Sequence, residues 1–372
     1  MRIAIEAQRI FRPNKHGMDF VALETIRHIQ QLDRENEYFI LVSPGQDRCL
    51  APSANMQIVE LSCPTYPLWE QVALPRALRR IGPDLLHCTS NTAPVRCKAP
   101  LVLTLHDIIF LEEQTSRNKS TYQNLGRIYR RWTVPRILSR CRRIITVSDF
   151  ERARIGTTLG LAPERLTTVY NGYSAHFHPV ADHAATTRRY LPEDRYLLFL
   201  GNTDPKKNTA RTLRAYALYA RECPEPLPLL VADLGENIVS ELLAENGISD
   251  IRPLLRLPGY IPNTDLPAVY SGAVAFLYTS LRESFGIPIL EAMACDTPVI
   301  SSNTSAIPEV AGDGALLVDP TDERAIAGQI AALAADSKLR DQQIAYGRER
   351  ITRFSWERTA RQTLDIYRAV LG

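Results

Sequence analysis

Short runs of aliphatic and β-branched residues recur along the chain. They fall at 3–7, 38–42, 57–61, 85–88, 101–105, 144–147 and 167–169, and again at 196–200, 229–232, 273–277, 299–301 and 315–318. Most are continuously apolar rather than alternating, the signature of a strand buried on both faces. Between them lie stretches with apolar residues at helical spacing, at 20–32, 127–138, 209–221, 238–245, 288–294, 323–334 and 338–350. Strand, helix, strand in repetition predicts parallel sheets covered on both faces by helices. The stretch 171–194 breaks the rhythm with Gly172, Pro179 and Pro192. The expected organisation is α/β, with two doubly wound, Rossmann-like domains facing across a cleft. The first covers 1–175, a linker 176–194, the second 195–354, and a last helix 355–372 returns to the first domain. In such sheets the ligand edge is the carboxyl end of the strands, so site residues are sought just after strands.

Composition sharpens this picture in three ways. The longest apolar runs are strand-sized, far short of the roughly 20 residues that span a bilayer. Residues 1–5 read as the start of a buried strand, without the pattern of a signal peptide. The seven cysteines are scattered and never at CxxC spacing, which suits a reducing cytoplasm and speaks against a disulfide frame or zinc site. The net charge of +3 hides an asymmetry: residues 1–171 carry 24 Lys/Arg against 16 Asp/Glu, and residues 172–372 carry 20 against 25. The expected location is cytoplasmic, with the basic first half facing an anionic acceptor or membrane, and with no nucleic-acid partner.

The chemistry concentrates after strands. In 278–320 (YTSLRESFGIPILEAMACDTPVISSNTSAIPEVAGDGALLVDP) a strand runs into a tight turn and then a helix. Pro288 suits the first helical turn, and Gly286 lets backbone approach a ligand closely. The helix start favours a phosphate. Glu283 and Glu291 would stand roughly 12 Å apart along a straight helix, wider than a hydrolase acid–base pair and suited to two ends of one long ligand. Singly, each glutamate also reads as charge near a helix dipole or a solvated face. The segment 200–208 (LGNTDPKKN) follows a strand and brings Lys206 and Lys207 near a helix start, where a cation can neutralise a diphosphate; it reads equally as a solvated basic turn. His106 ends the strand run 101–105, with Asp107 placed to orient it, as a structural or a catalytic histidine. The turn 14–18 (NKHGM) contains His16 and Gly17 but no GxGxxG, and no Walker A or GxSxG motif occurs. Residues 127–143 hold seven arginines and no acid. Arg136, Arg140 and Arg143 would share a helical face, either lying on anionic lipid or simply solvated.

Taken together, these residues resemble the retaining glycosyltransferases of family 4, of GT-B fold. The match is strongest over 198–320, in ESFGIPILEAMACDTPV followed by SAIPEVAGDGALLVDP, with GNTDPKKN, ITVSDF, VYNGY and FSWE in support. The resemblance implies a nucleotide-sugar donor bound by Gly201, Lys206, Lys207, Glu283, Phe285, Gly286, Ile287 and Glu291. Within that set Lys207 holds the diphosphate, Glu283 the transferred sugar and Glu291 the ribose. It implies His106, Lys207 and Glu283 as catalytic, and His16, Gly17 and His106 on the acceptor side. No covalent nucleophile stands out, so the implied route is front-face substitution with no cofactor and no essential divalent metal. The sequence is similar to bacterial polysaccharide mannosyltransferases, which points to GDP-mannose, with UDP-sugars as the alternative, and to a glycan acceptor on a lipid diphosphate. A nucleotide-sugar epimerase or a non-catalytic nucleotide-sugar-binding protein is the competing reading. Asn202 stands where many family members have arginine, and Asp233 where a glycine-rich turn is common.

Overall fold

The computed structural model describes residues 1–13, 15–111 and 121–372, with backbone only for 121–124. Asn14, in the turn singled out above, lies outside the described residues. The chain divides into two compact units, Met1–Gly172 with Trp356–Gly372, and Tyr173–Ser355.

The first unit is built on β1 (Arg2–Glu6), β2 (Glu37–Val42), β3 (Met56–Glu60), β4 (Leu85–Cys88), β5 (Leu101–Thr104), β6 (Cys141–Thr146) and β7 (Leu166–Thr168). Their order in the sheet is β3-β2-β1-β4-β5-β6-β7, and every pair is parallel. The central strand β1 pairs on both sides, with Ile3 opposite Tyr38 in β2 and Leu85 in β4. Two apolar layers cover its faces. One gathers Phe39, Trp69, Leu74, Leu103 and Ile137; the other gathers Ile5, Leu23, Ile26, Tyr38 and Ile145.

The second unit repeats the plan with β8 (Tyr196–Leu200), β9 (Leu229–Ala232), β10 (Leu255–Gly259), β11 (Ala273–Tyr278), β12 (Val299–Ser302) and β13 (Ala315–Val318), ordered β10-β9-β8-β11-β12-β13 and again parallel. Both sheets are the doubly wound, Rossmann-like architecture of the GT-B fold. The strand order reverses direction between β1 and β4, and between β8 and β11. In each unit by itself, the switch point opens a crevice at the carboxyl ends of its own strands.

Several details depart from the sequence pattern. Strand β10 has no counterpart among the expected runs. It is an edge strand carrying Pro258, tolerated because only one side must hydrogen-bond, and its side chains are mostly half-buried. The expected linker 176–194 is packed into the second unit. Phe177 is buried edge-on to Tyr270 with ring centroids 6.0 Å apart, the Val180 amide donates to Ser271 Oγ at 3.0 Å, and Ala184–Thr187 forms one helical turn. The arginine face expected of Arg136, Arg140 and Arg143 does not form. The helix Thr121–Leu138 ends before Arg140, and Arg143 sits on β6.

The last helix, Trp356–Leu371, lies within the first unit, where Ala360, Leu364 and Tyr367 join the layer formed by the helix Gly17–Leu32. Tyr367 OH lies 2.6 Å from His87 Nδ1, and His87 Nε2 lies 2.8 Å from Thr104 Oγ1. Burial lowers the His87 pKa to about 3, so the ring is neutral and serves as structure. The Tyr367→Ala variant is expected to lose about 3–5 kcal/mol of stability through cavity formation. Tyr367→Phe should lose about 1–2 kcal/mol, because a buried ring nitrogen is left without its partner. Denaturant titration of both variants checks this, and a Tyr367→Phe variant as stable as wild type would show that the hydrogen bond contributes nothing.

Candidate functional site

In the second unit the switch point is bounded by the loop after β8 and the loop after β11. The first begins at Gly201. An added Cβ there would come within 2.5 Å of Leu234 Cδ1 and 2.9 Å of the Ala232 carbonyl oxygen, so the glycine serves the close packing of two strand ends. Asp204 caps the following turn, Pro205–Lys207, by accepting from the Lys206 amide at 3.1 Å. Asn208 then adopts the left-handed conformation, with φ 61°, and its amide donates to the Thr279 carbonyl at 2.9 Å and the Pro320 carbonyl at 2.8 Å. The Leu281 amide returns a bond to the Lys206 carbonyl at 2.7 Å. The lysine-bearing turn is thereby fastened to the end of β11.

That fastening fixes where the two lysines go. Lys207 Nζ donates to Glu283 Oε1 at 2.6 Å and lies 5.4 Å from the centroid of the Tyr278 ring. Lys206 instead forms a loose, exposed pair with Asp204 at 3.7 Å. The loop carrying Glu283 is anchored by its own backbone. The Glu283 amide donates to Ser305 Oγ at 3.0 Å, and its carbonyl accepts from the Ala306 amide at 3.4 Å.

The chain next passes the buried Phe285, whose ring meets Phe354 edge-on, and enters the helix Ile287–Ala294 through Gly286. Gly286 has φ 109°, a conformation open to glycine and strained for other residues. Pro288 occupies the first turn, where its missing N–H costs no intrahelical bond. The Ile289 amide closes the first turn by donating to the Gly286 carbonyl at 3.1 Å, and the helix start presents its positive end next to the loop that carries Glu283.

Glu291 sits farther along the same helix. Its carboxylate has no hydrogen-bond partner among the described residues, and burial raises its pKa to about 8. The Tyr270 hydroxyl, which feels the Glu291 charge, is buried without a partner among the described residues. Asp233, at φ 64°, is exposed beside it, with its carboxyl raised by partial desolvation. Buried polar groups are rarely left unpaired, so this cluster has the donors and acceptors to hold a hydroxyl-rich ligand.

The first unit carries the other expected residues. His106 follows β5 and is buried. Its Nε2 donates to the Thr89 carbonyl at 2.9 Å and its backbone amide donates to Asn91 Oδ1 at 2.7 Å. Burial lowers its pKa, so the imidazole is neutral; the Thr89 bond and Asp107 act in the opposite direction. His16 caps the helix Gly17–Leu32, its amide donating to Asp19 Oδ2 at 2.9 Å. Gly17 is not a turn glycine. It is the first helical residue, and an added Cβ would meet nothing within 4 Å.

Residues that the sequence pattern did not single out surround these. Glu6, at the end of β1, is fully buried, accepts from the Gln8 amide at 3.0 Å and the Thr89 amide at 3.2 Å, and is raised by burial to about 7. Arg9 Nε lies 2.9 Å from Asp19 Oδ1. Glu70, also buried, accepts from Thr92 Oγ1 at 2.5 Å, Tyr66 OH at 2.7 Å and Tyr129 OH. The available signal was a charged residue at the end of a buried strand, as for Glu6. Glu70 lies in a helix turn and gave none. Among the described residues no cluster of three or more His, Cys, Asp or Glu could hold a metal ion.

Comparison with known proteins assigns both halves. Residues 17–177 match Glycosyltransferase Family 4, and residues 188–350 match Glycosyl transferases group 1. The O-antigen chain mannosyltransferase B of Escherichia coli is 36% identical over 230 residues, 60% of this chain and 60% of that protein. A D-inositol 3-phosphate glycosyltransferase of Saccharomonospora viridis is 30% identical over 291 residues, 74% of this chain and 66% of its own length. The matched regions thus span less than two thirds of these relatives. Among solved structures, the sucrose-phosphate synthase of Thermosynechococcus elongatus superposes with a TM-score of 0.76 over 99% of this chain and 98% of that one, at 20% identity, a likeness of fold. With a family 4 domain in its first half and a group 1 domain in its second, the chain belongs to the family 4 glycosyltransferases.

Proposed function

We propose that this protein transfers mannose from GDP-mannose to a sugar hydroxyl of a surface polysaccharide or lipopolysaccharide precursor carried on a lipid diphosphate, with retention at the anomeric carbon. The observation that carries this reading is the pairing of Lys207 with Glu283 at the switch point of the second sheet, beside the helix that Gly286 opens. A nucleotide sugar offers matching groups: a diphosphate for the cation and helix start, sugar hydroxyls for Glu283, ribose hydroxyls for Glu291. The mannosyltransferase relative favours mannose.

The bond from the sugar's anomeric carbon to the diphosphate oxygen breaks, and a bond to the acceptor oxygen forms on the same face. The acceptor proton passes to an oxygen of the departing diphosphate. Lys207, helped by the amides at Phe285, Gly286 and Ile287 and by the exposed Lys206, offsets the charge that develops on the leaving group. Glu283 orients the sugar and stabilises positive charge at its ring. Gly201 shapes the loop that carries the lysines. His106, neutral and held by Thr89, lies on the acceptor side with His16 and Gly17, where it donates or accepts a hydrogen bond rather than supplying a charge. The reading includes no cofactor and no divalent cation.

The test is incubation with GDP-mannose and UDP-sugars against a panel of glycan acceptors that includes inositol 3-phosphate, with product linkage read by NMR. An α-mannoside from GDP-mannose, formed equally in EDTA, is the expected result. Isomerised donor without acceptor, or tight donor binding with no turnover anywhere, would replace the reading by an epimerase or a binding protein. Lys207→Ala and Glu283→Gln are each expected to lower kcat by about 10²–10³ while unfolding cooperatively like wild type. Wild-type turnover in either variant removes that residue's role.

Glu291 gives a pH signature. Ribose hydroxyls donate to a carboxylate, so nucleotide binding selects the ionised form. The free group is protonated below about 8. Affinity for GDP is therefore expected to rise with pH up to about 8 and then level off, by at most about tenfold per pH unit. Glu291→Gln should bind more weakly, with a flatter profile by calorimetry. An unchanged slope in that variant assigns the titration elsewhere.

A further inference from the structure

Tyr278 is the last residue of β11, so its place is set by the sheet rather than by a loop. It pairs with Ser301 in β12, and Ser301 Oγ donates to the Tyr278 carbonyl at 2.8 Å. Its ring is buried, with its centroid 5.7 Å from that of Phe276. Connecting loops are the more mobile part of such a domain, and a buried strand end is the less mobile part.

Three elements of the donor site meet this one side chain. Lys207 Nζ lies 5.4 Å from the ring centroid and 3.5 Å from the hydroxyl oxygen. Glu283, which accepts from the same ammonium at 2.6 Å, acts on the hydroxyl through its charge and a side-chain hydrogen bond; with burial, both keep the phenol protonated. At the helix start, an added Cβ on Gly286 would stand 3.6 Å from Tyr278 Cε1. The direction of the polar contacts follows from the groups. An ammonium only donates, an ionised carboxylate only accepts, and a phenol does both. Within this triangle the phenol proton can therefore go only to Glu283.

The other anchor of Glu283 acts on its backbone, whose amide donates to Ser305 Oγ at 3.0 Å. That leaves the side-chain torsions to be fixed by what the carboxylate touches, and torsional freedom lost on binding weakens binding. A diphosphate competes with Glu283 for the Lys207 ammonium. We propose that Tyr278 is a positioning residue for the transfer reaction: its hydroxyl keeps the Glu283 carboxylate aimed at the sugar when Lys207 turns to the diphosphate. The assignment rests on the function proposed for Lys207 and Glu283, and it is the same for any nucleotide sugar. Loss of the hydroxyl is then felt in the step where Glu283 acts on the sugar, and not in the grip on the nucleotide.

Tyr278→Phe removes the hydroxyl and keeps the ring. With whichever of GDP-mannose and UDP-glucose wild type turns over, kcat is expected to fall by about ten- to a hundredfold, the range for a lost hydrogen bond to a charged group. The Kd of the matching free diphosphate, GDP or UDP, should stay at the wild-type value by calorimetry, which also shows that the site is folded. The decisive comparison is a double-mutant cycle. In a Glu283→Ala background the carboxylate is gone, so adding Tyr278→Phe should change kcat by less than about twofold, whereas a merely structural tyrosine would subtract the same factor in both backgrounds. Wild-type kcat in Tyr278→Phe overturns the proposal. So does an equal loss with and without Glu283, or a fall in nucleotide affinity as large as the fall in kcat. A wild type that turns over no nucleotide sugar with any acceptor overturns the functional reading and the proposal with it, so the two failures are told apart by wild type itself.

Discussion

The geometry of the second unit rests on one side-chain amide. Asn208 takes a left-handed backbone conformation and spends both amide protons on carbonyls, one at the end of β11 and one at Pro320. Without those two bonds the turn Pro205–Lys207 would be an exposed basic loop, which is how its composition reads. With them, a flexible lysine stands over Tyr278 and within 2.6 Å of Glu283. A surface ion pair between mobile side chains contributes little. This one has both backbones fixed, so little entropy is lost in forming it, and the ammonium is preorganised for an incoming anion.

Around that fixed pair the protein leaves polar groups unsatisfied. Among the described residues Glu291 has no hydrogen-bond partner and the Tyr270 hydroxyl is buried without one. Both cost folding stability that an apolar residue would not. Concentrated at the carboxyl edge of one sheet, they are better understood as groups whose partners arrive with a ligand. The contrast with His87 is instructive. It too is a buried titratable group, yet both ring nitrogens are matched by protein hydroxyls, and it holds the last helix in place.

The alternation of apolar runs was enough to expose two parallel sheets, because strands buried on both faces are nearly continuous in apolar residues. It failed at β10, where an edge position and Pro258 erase that signal. It also took 176–194 for a connector, since burial there rests on a few isolated residues such as Phe177 and a single helical turn. Lys207, Glu283, Gly286 and Glu291 were legible through their positions after strands. The groups that aim them were not. Asn208 needs a φ value to be recognised, Ser305 lies 22 residues from its partner Glu283, and Glu70 collects its hydrogen bonds from residues spread across the first unit. Long-range polar contacts leave no period in a sequence.

The helix Thr121–Leu138 is apolar on two sides, and it shows how such contacts settle which side faces outward. Apolar spacing alone cannot say which stripe turns inward, since both are large enough to bury. The choice is made by Tyr129. Its hydroxyl must reach a carboxylate that is itself fully buried, and Glu70 in turn depends on those hydroxyl donors for its hydrogen bonds. Rolling the helix by even one residue, about 100°, would break that bond and remove one of the donors to the carboxylate. The Tyr129–Glu70 bond, together with Val134 and Ile137 packed in the core, sets the inward side. Leu125, Ile128 and Trp132 are then left outside as a consequence of the polar network beneath.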